Sequence, residues 1–256
     1  MLFDSHAHYN DERFAKDADL LLASMPQNNV GYIMNACSST AEFPDILRLV
    51  EKFPFVYGAA GVHPHETETM TEEDIEKIKK FCVHPKIKAI GEIGLDYYYD
   101  NSPRDVQKYW FARQLDLASE LKMPIIIHDR DAHKDTMDIL KSHNAASVGG
   151  AFHCYTGSAE MVKEVLSLNM YIAFGGSLTF KKAQKPQEAA KLVPLDRLLI
   201  ETDCPYLTPE PYRGKRNSSL YVRFVAEKLA EIKGVSVEEI TKKTCENAKK
   251  CFGIDG

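Results

Sequence analysis

Met1-Leu2-Phe3-Asp4-Ser5-His6-Ala7-His8 runs an apolar start directly into an acid and a His-x-His pair. On an extended strand residues two apart point the same way, so His6 and His8 present two imidazoles to one point. Two converging neutral imidazoles suit a divalent metal such as zinc, iron or manganese. Recurrence decides the fold: the same pattern, an apolar run ending in a histidine or a carboxylate, returns along the rest of the chain.

Between these runs the spacing turns helical. Residues 11–28 are polar, with Phe14, Ala18, Leu21, Leu22 and Met25 on one helical face, and 40–53 repeat the pattern. Residues 71–82 open with Thr-Glu-Glu-Asp, a cap followed by acids that favour the positive end of a helix. Further helices are predicted over 104–122, 131–142, 158–169, 181–192, 220–233 and 237–252. Strands are predicted over 30–36, 55–62, 87–93, 124–128, 147–153, 171–175 and 198–203, after the one at the start.

Eight nearly continuous apolar strands alternating with helices imply parallel pairing buried on both faces, hence an α/β fold of the TIM-type (β/α)8 barrel class. A doubly wound open sheet competes, but no Gly-x-Gly-x-x-Gly follows the first strand to recommend it. The 256 residues are the usual length of such a barrel, and 44% hydrophobic residues suffice for its core. With no linker or low-complexity tract, residues 1–256 are read as a single domain.

A net charge of -5 gives no global attraction to nucleic acid or to an anionic membrane, so an anionic partner must be held by a local basic patch or by metal. No apolar stretch approaches the ~18 residues of a membrane span. Six cysteines are scattered without a C-x-x-C pair and no hydrophobic leader precedes Asp4, a pattern expected of a reduced, cytoplasmic chain. A monomer without an organic cofactor or membrane partner is expected.

In a barrel of this kind the active site lies at the carboxyl ends of the strands. The polar residues there are His6, His8, His63, His65, Glu92, His128, His153 and Asp203, which take six of the nine histidines. His84, His133 and His143 fall in loops or helices and are read as surface residues. One strand-end histidine alone is more often structural; the convergence of eight such residues carries the reading.

Glu92, within Gly91-Glu92-Ile93-Gly94-Leu95-Asp96, has two oxygens and can bridge two cations, and its flanking glycines let backbone or ligand approach. A two-metal centre follows, with His6, His8 and Asp203 on one ion, His128 and His153 on the other, and Glu92 shared. Two such ions activate water and neutralise charge on a phosphate or carbonyl oxygen. Asp203 is placed to take the proton of that water as general base.

These stretches, together with Gly61-Val62-His63-Pro64-His65, Ile127-His128-Asp129-Arg130, His153-Cys154-Tyr155-Thr156-Gly157, Glu201-Thr202-Asp203-Cys204-Pro205-Tyr206 and Pro211-Tyr212-Arg213-Gly214-Lys215-Arg216-Asn217, resemble the TatD family of metal-dependent deoxyribonucleases over nearly the whole chain. That family is a branch of the amidohydrolase-like barrels. The resemblance implies hydrolysis of DNA phosphodiesters, often as a 3′ exonuclease on single strands, with Mg2+, Mn2+ or Zn2+. It also implies His6, His8, Glu92, His128, His153 and Asp203 as metal positions. Two residues depart from the pattern: Tyr9 where many relatives have Leu, and Ser219 where a Pro is frequent. Both are expected to bear on substrate preference.

His63 remains once the metals are filled and is assigned to the scissile phosphate or a metal-bound water. His65 is left between substrate contact and loop structure. The loop Tyr212-Arg213-Gly214-Lys215-Arg216 offers forks and charges for phosphates and a ring for an unpaired base, although so short a basic cluster is ordinarily just solvated. Arg130 is a further phosphate candidate. Cys154 and Cys204 follow proposed ligands, but strand alternation turns them away, and they are read as packing residues.

The competing activity is an amide, lactone or ester hydrolase of the same superfamily acting on a small molecule. Relatives of that kind often bridge their metals with a modified lysine where this chain has Glu92. A non-catalytic protein with a structural metal is the third reading; structural zinc sites are richer in cysteine and closed to water.

Overall fold

Strands buried on both faces need a helix to return each one parallel to the last, and the chain supplies one at every step. In a computed structural model, whose described residues are 1–255, β1 (Leu2–Ala7), β2 (Val30–Ala36), β3 (Val56–Ala60), β4 (Ile87–Asp96), β5 (Ile125–Arg130), β6 (Gly150–Phe152), β7 (Met170–Phe174) and β8 (Leu198–Ile200) form one parallel sheet in chain order. The helices are α1 (Ala18–Ala23), α2 (Phe43–Lys52), α3 (Glu72–Phe81), α4 (Arg104–Leu121), α5 (His133–Ser142), α6 (Met161–Ser167), α7 (Gln184–Leu192), α8 (Val222–Lys233) and α9 (Val237–Phe252). This is the expected (β/α)8 topology.

Closure of the ring falls just beyond β8. Ala7 bridges Cys204 in parallel, the Asp203 N–H donates to the His6 carbonyl at 2.9 Å, and the His8 N–H donates to the Cys204 carbonyl at 2.8 Å. Side chains complete the seam. Buried Asp4 accepts from the Thr202 N–H at 2.8 Å, from Thr202 Oγ1 at 2.6 Å and from Ser219 Oγ at 2.6 Å.

Two cores follow from strand alternation. One lies between sheet and helices and includes Ile33, Val56, Ile90, Ile127 and Ile172. The other occupies the opposite strand faces, where Ala36, Ala59, Ala89, Ala151 and Ala173 leave room for Phe3, Met34, Ile126 and Leu199. Phe252 and Ile254, at and after the end of α9, close that interior.

Several boundaries differ from expectation for local reasons. The helix predicted over 11–28 splits into a 3-10 turn at Glu12–Phe14, the short α1 and a second 3-10 turn at Pro26–Asn28. Asp11 caps the first turn by accepting from the Arg13 N–H, and Pro26 cannot donate to continue α1. The sixth strand begins only at Gly150, because Gly149 and Gly150 take φ of 64° and 145°. The fourth and fifth strands run on to Asp96 and Arg130, past the predicted ends. A 3-10 segment at Pro64–Thr69, not predicted, follows β3. Among the described residues no helix is long and apolar enough to cross a membrane.

Candidate metal centre

Strand register gathers the expected residues at one rim. Ala7 lies beside Asn35 of β2, and Gly94 of β4 lies beside His128 of β5. At Gly94 (φ 147°) a Cβ would fall 1.9 Å from the His128 carbonyl oxygen, so only glycine lets β4 pass this close. The glycine thus makes room for backbone.

Glu92, almost fully buried, stands at the centre with its two oxygens facing different imidazoles. Oε2 is 3.1 Å from His6 Nε2 and 3.6 Å from His8 Nε2. Oε1 is 2.7 Å from His128 Nδ1, 3.1 Å from His153 Nε2 and 3.6 Å from His63 Nε2. Asp203 joins the first group, with Oδ1 3.5 Å from His8 Nε2 and 3.9 Å from His6 Nε2. Three groups of side chains could each hold a cation, His6/His8/Asp203, His63/Glu92/His128 and His6/His153/Glu201, and the last sets His153 with Glu201.

Outer partners orient most of the rings. His8 Nδ1 faces the Ala36 carbonyl at 3.0 Å, which leaves Nε2 as the free lone pair. His153 Nδ1 faces Glu201 Oε1 at 3.1 Å, and that oxygen also accepts from the Cys154 N–H at 2.6 Å. His128 Nε2 faces Asp96 Oδ2 at 3.1 Å. Backing of an imidazole by a carboxylate or carbonyl is the usual support of a metal-binding histidine. His6 lacks one: its buried Nδ1 has no hydrogen-bond partner among the described residues, and the ring stacks on His153 at 3.9 Å. The nitrogen-and-carboxylate donor set, aimed inward and mostly held from behind, fits divalent metal.

Electrostatics agree. Burial opposes charge on Glu92, but His153, His6 and His63 around it hold its carboxyl well below the usual range. Asp203 is likewise lowered, burial being outweighed by the His8 hydrogen bond and nearby imidazoles. Burial resists protonation of His128, yet Asp96 and Glu92 push it up to about 9. At His6 and His63 burial prevails and both are lowered. At His8 and His153 burial is outweighed by Asp203, Glu201 and Glu92 and both are raised, so buried Glu92 and half-buried Asp203 draw positive charge to this cluster.

A cavity of about 590 Å³ opens over this cluster, lined among others by His8, His63, His65, Glu92, His128, His153, Asp203 and Arg130. His6 lies beneath, fully buried. His65 Nε2 faces Asp96 Oδ2 at 2.9 Å, so one of its nitrogens is engaged by the protein. The loop residues Tyr212, Arg213, Lys215 and Arg216 are absent from the lining. Arg213 lies over the Phe180 ring, Lys215 over Tyr212, and Arg216 binds Asp17 and the Arg13 carbonyl. Cys204 is buried, and burial raises both its thiol and that of Cys154, in keeping with packing roles.

Sequence reasoning passed over Glu201 and Asp96. Asp96 lies four residues after Glu92 on β4, and Glu201 two before Asp203 in the run predicted as strand 198–203, which in fact ends at Ile200; period-two spacing could have flagged both. Asp96 is heavily used: Oδ2 takes His65 and His128, and Oδ1 accepts the N–H groups of Tyr98 and Tyr99 at 3.0 and 2.9 Å. The three remaining histidines are half-buried, and two of them face an acid: His133 with Asp129, and His143 with Asp116.

Comparison with known proteins follows the same line. A family model described as TatD related DNase matches residues 3–253. The chain is 48% identical to an uncharacterized metal-dependent hydrolase, YabD, of Bacillus subtilis, over all of both chains. It is 31% identical to a 3′-5′ ssDNA/RNA exonuclease, TatD, of Citrobacter rodentium, over 99% of this chain and 98% of the relative. Among solved structures, a TatD homolog from Escherichia coli, YJJV, superposes with a TM-score of 0.93 at 28% identity, covering 99% of this chain and 98% of the other.

Proposed function

The chain belongs to the TatD-related DNase family of metal-dependent hydrolases, and we propose that it hydrolyses phosphodiester bonds from the 3′ end of single-stranded DNA. The observation that carries the reading is the division of Glu92, Oε2 toward His6 and His8 and Oε1 toward His128 and His153. His6, His8 and Asp203 would hold one cation, His128 and His153 the other, with Glu92 shared. Two Mg2+, Mn2+ or Zn2+ ions, when bound, make water nucleophilic near neutral pH and offset charge on a phosphate.

The protein's own groups supply the rest. Asp203 lines the cavity, its carboxylate kept ionised, and can accept a proton from the attacking water as general base. His63 Nδ1 accepts from the His65 N–H at 3.1 Å, which leaves the ring proton on Nε2 to donate to a phosphate oxygen. Arg130, at the rim, offers a fork for a neighbouring phosphate. The family match across residues 3–253 supports reading the chain as one domain.

One observation favours hydrolysis of a small amide, lactone or ester instead. The lining carries six carboxylates and a single arginine, Arg130, with none of the basic loop. A labelled single-stranded oligonucleotide incubated with Mg2+ or Mn2+, and in parallel with EDTA, separates the two. Stepwise loss from a 5′-labelled strand, abolished by EDTA, is expected; no shortening with any metal, alongside turnover of small esters, would overturn the nuclease reading.

A further inference from the structure

Four of the twelve tyrosines are exposed; two of them line this one cavity and a third packs against one of those two. Tyr99 and Tyr206 line it, and Tyr98 packs edge-on against Tyr99 at 4.9 Å. Tyr98 and Tyr99 are 58% and 55% exposed, well beyond what packing needs. The Arg130 guanidinium lies over both rings, 4.1 Å from the Tyr98 centroid and 4.7 Å from that of Tyr99. No carboxylate among the described residues pairs with Arg130, in contrast to Arg216 with Asp17. An aromatic pair holding an unpaired cation beside a metal centre has both parts of a nucleotide subsite: faces for a base and a fork for its phosphate.

The platform is tied to the chemistry through one side chain. Asp96 Oδ1 accepts the N–H groups of Tyr98 and Tyr99, while Oδ2 faces His128 and His65. A base on the tyrosines therefore has a fixed offset from the atoms that would hold metal. Tyr109, the fourth exposed tyrosine, points elsewhere, its hydroxyl donating to Glu72.

Building on the nuclease reading, we propose that Tyr98, Tyr99 and Arg130 form a stacking subsite for one unpaired nucleobase next to the scissile phosphate. A base in a duplex must leave its partner and its stacked neighbours to reach the rings, so the subsite favours single-stranded ends over duplex ends. Sequence preference should be weak, because every base has a face to stack.

The test uses the Mn2+-loaded protein and single-stranded oligonucleotides that are intact or carry one abasic tetrahydrofuran residue, scanned over the last four positions. In the wild type one abasic position should raise KM by about 5- to 150-fold, the loss of a single stacked base. In Tyr98→Ala/Tyr99→Ala the intact strand should show that raised KM and the abasic strand no further rise. Tyr98→Phe/Tyr99→Phe should restore the contrast, and Tyr109→Ala should leave it as in the wild type. If every abasic position has the same KM as the intact strand in the wild type, the subsite is refuted without any variant. Should the wild type neither cleave the oligonucleotide nor bind it after EDTA treatment, the nuclease reading falls and the subsite with it. Cleavage indifferent to abasic position overturns the subsite alone.

Discussion

The Tyr9 hydroxyl donates to Ser219 Oγ at 2.9 Å and accepts from the Ser219 N–H at 2.9 Å. The two positions that depart from the family pattern are thus each other's partners, across 210 residues of chain. Both are buried, at the seam of the barrel. A Leu at 9 would have no hydroxyl and a Pro at 219 no N–H, so either residue would break this pair of bonds. Ser219 passes the link on to Asp4, whose carboxyl burial pushes up to about 7 despite donors from Ser219 and Thr202.

Tyr9→Phe and Ser219→Ala should each destabilise the protein by about 1–3 kcal/mol, since each strands a buried polar group. The double variant should cost less than the sum, with a coupling of at least ~0.5 kcal/mol. Urea denaturation of the four proteins measures this. Additive losses would mean that the bonds do not act as a pair.

Asp203→Asn should lower kcat on any hydrolysed substrate by about 10²- to 10⁴-fold through loss of the proton acceptor. The fold should survive, because Asn keeps the shape and Asp203 makes its backbone bond to His6 regardless of side chain. Thermal melting of the metal-free protein within a few degrees of wild type, with activity lost, is the expected pair of results.

How much of this was legible beforehand follows the range of the forces involved. Period-two and period-3.6 patterning exposes strands and helices, and strand ends expose His6, His8, Glu92, His128, His153 and Asp203 as candidates, because barrel topology alone brings strand ends together. What patterning lacks is side-chain partnership. That Asp96 holds Tyr98, Tyr99, His65 and His128 at once depends on β4–β5 register and on a bend after β4. That Arg216 turns to Asp17 depends on a loop path with no period. The helix predicted over 11–28 breaks because Asp11 and Pro26 interrupt locally what its apolar spacing would continue.

Glu201→Gln should weaken metal binding more than it weakens the metal-saturated rate. Glu201 Oε1 faces His153 Nδ1 and sets which nitrogen of that ring points at Glu92. The metal concentration for half-maximal activity should rise about 10- to 100-fold. Titration of the apo protein with Mn2+, followed by activity and by calorimetry, reads the shift; an unchanged midpoint would remove Glu201 from the centre.

His133 at the start of α5 faces buried Asp129, with Nδ1 2.5 Å from Oδ2. The Asp129 hydrogen bond raises the imidazole above its ordinary value, against opposing burial. The folded state then holds the proton more tightly than the unfolded one. The pair's contribution is full below about pH 6.5 and is lost as pH climbs through the raised folded value. The stability difference between wild type and His133→Asn should accordingly be largest near pH 5.5 and shrink toward pH 9, as urea melts at several pH values would show.

The basic loop divides into a structural and a free part. Arg216 Nη1 donates to the Arg13 carbonyl at 2.6 Å and to Asp17 at 2.9 Å, and its guanidinium lies 4.7 Å over Phe14, so it pins the loop to the segment after β1. Arg213 and Lys215 have no acidic partner among the described residues and only ring faces beneath them. Arg216→Ala should therefore lower the melting temperature by about 1–4 °C, the size of an exposed ion pair with a carbonyl bond added. It should leave the salt dependence of oligonucleotide KM as it was. Arg213→Ala/Lys215→Ala should do the reverse. If both reach phosphates of a single strand lying beyond the cavity, the slope of log KM against log salt should fall by about 1 to 1.5. A change of slope in the Arg216 variant as large as in the double variant would place Arg216 on the nucleic acid and undo the division.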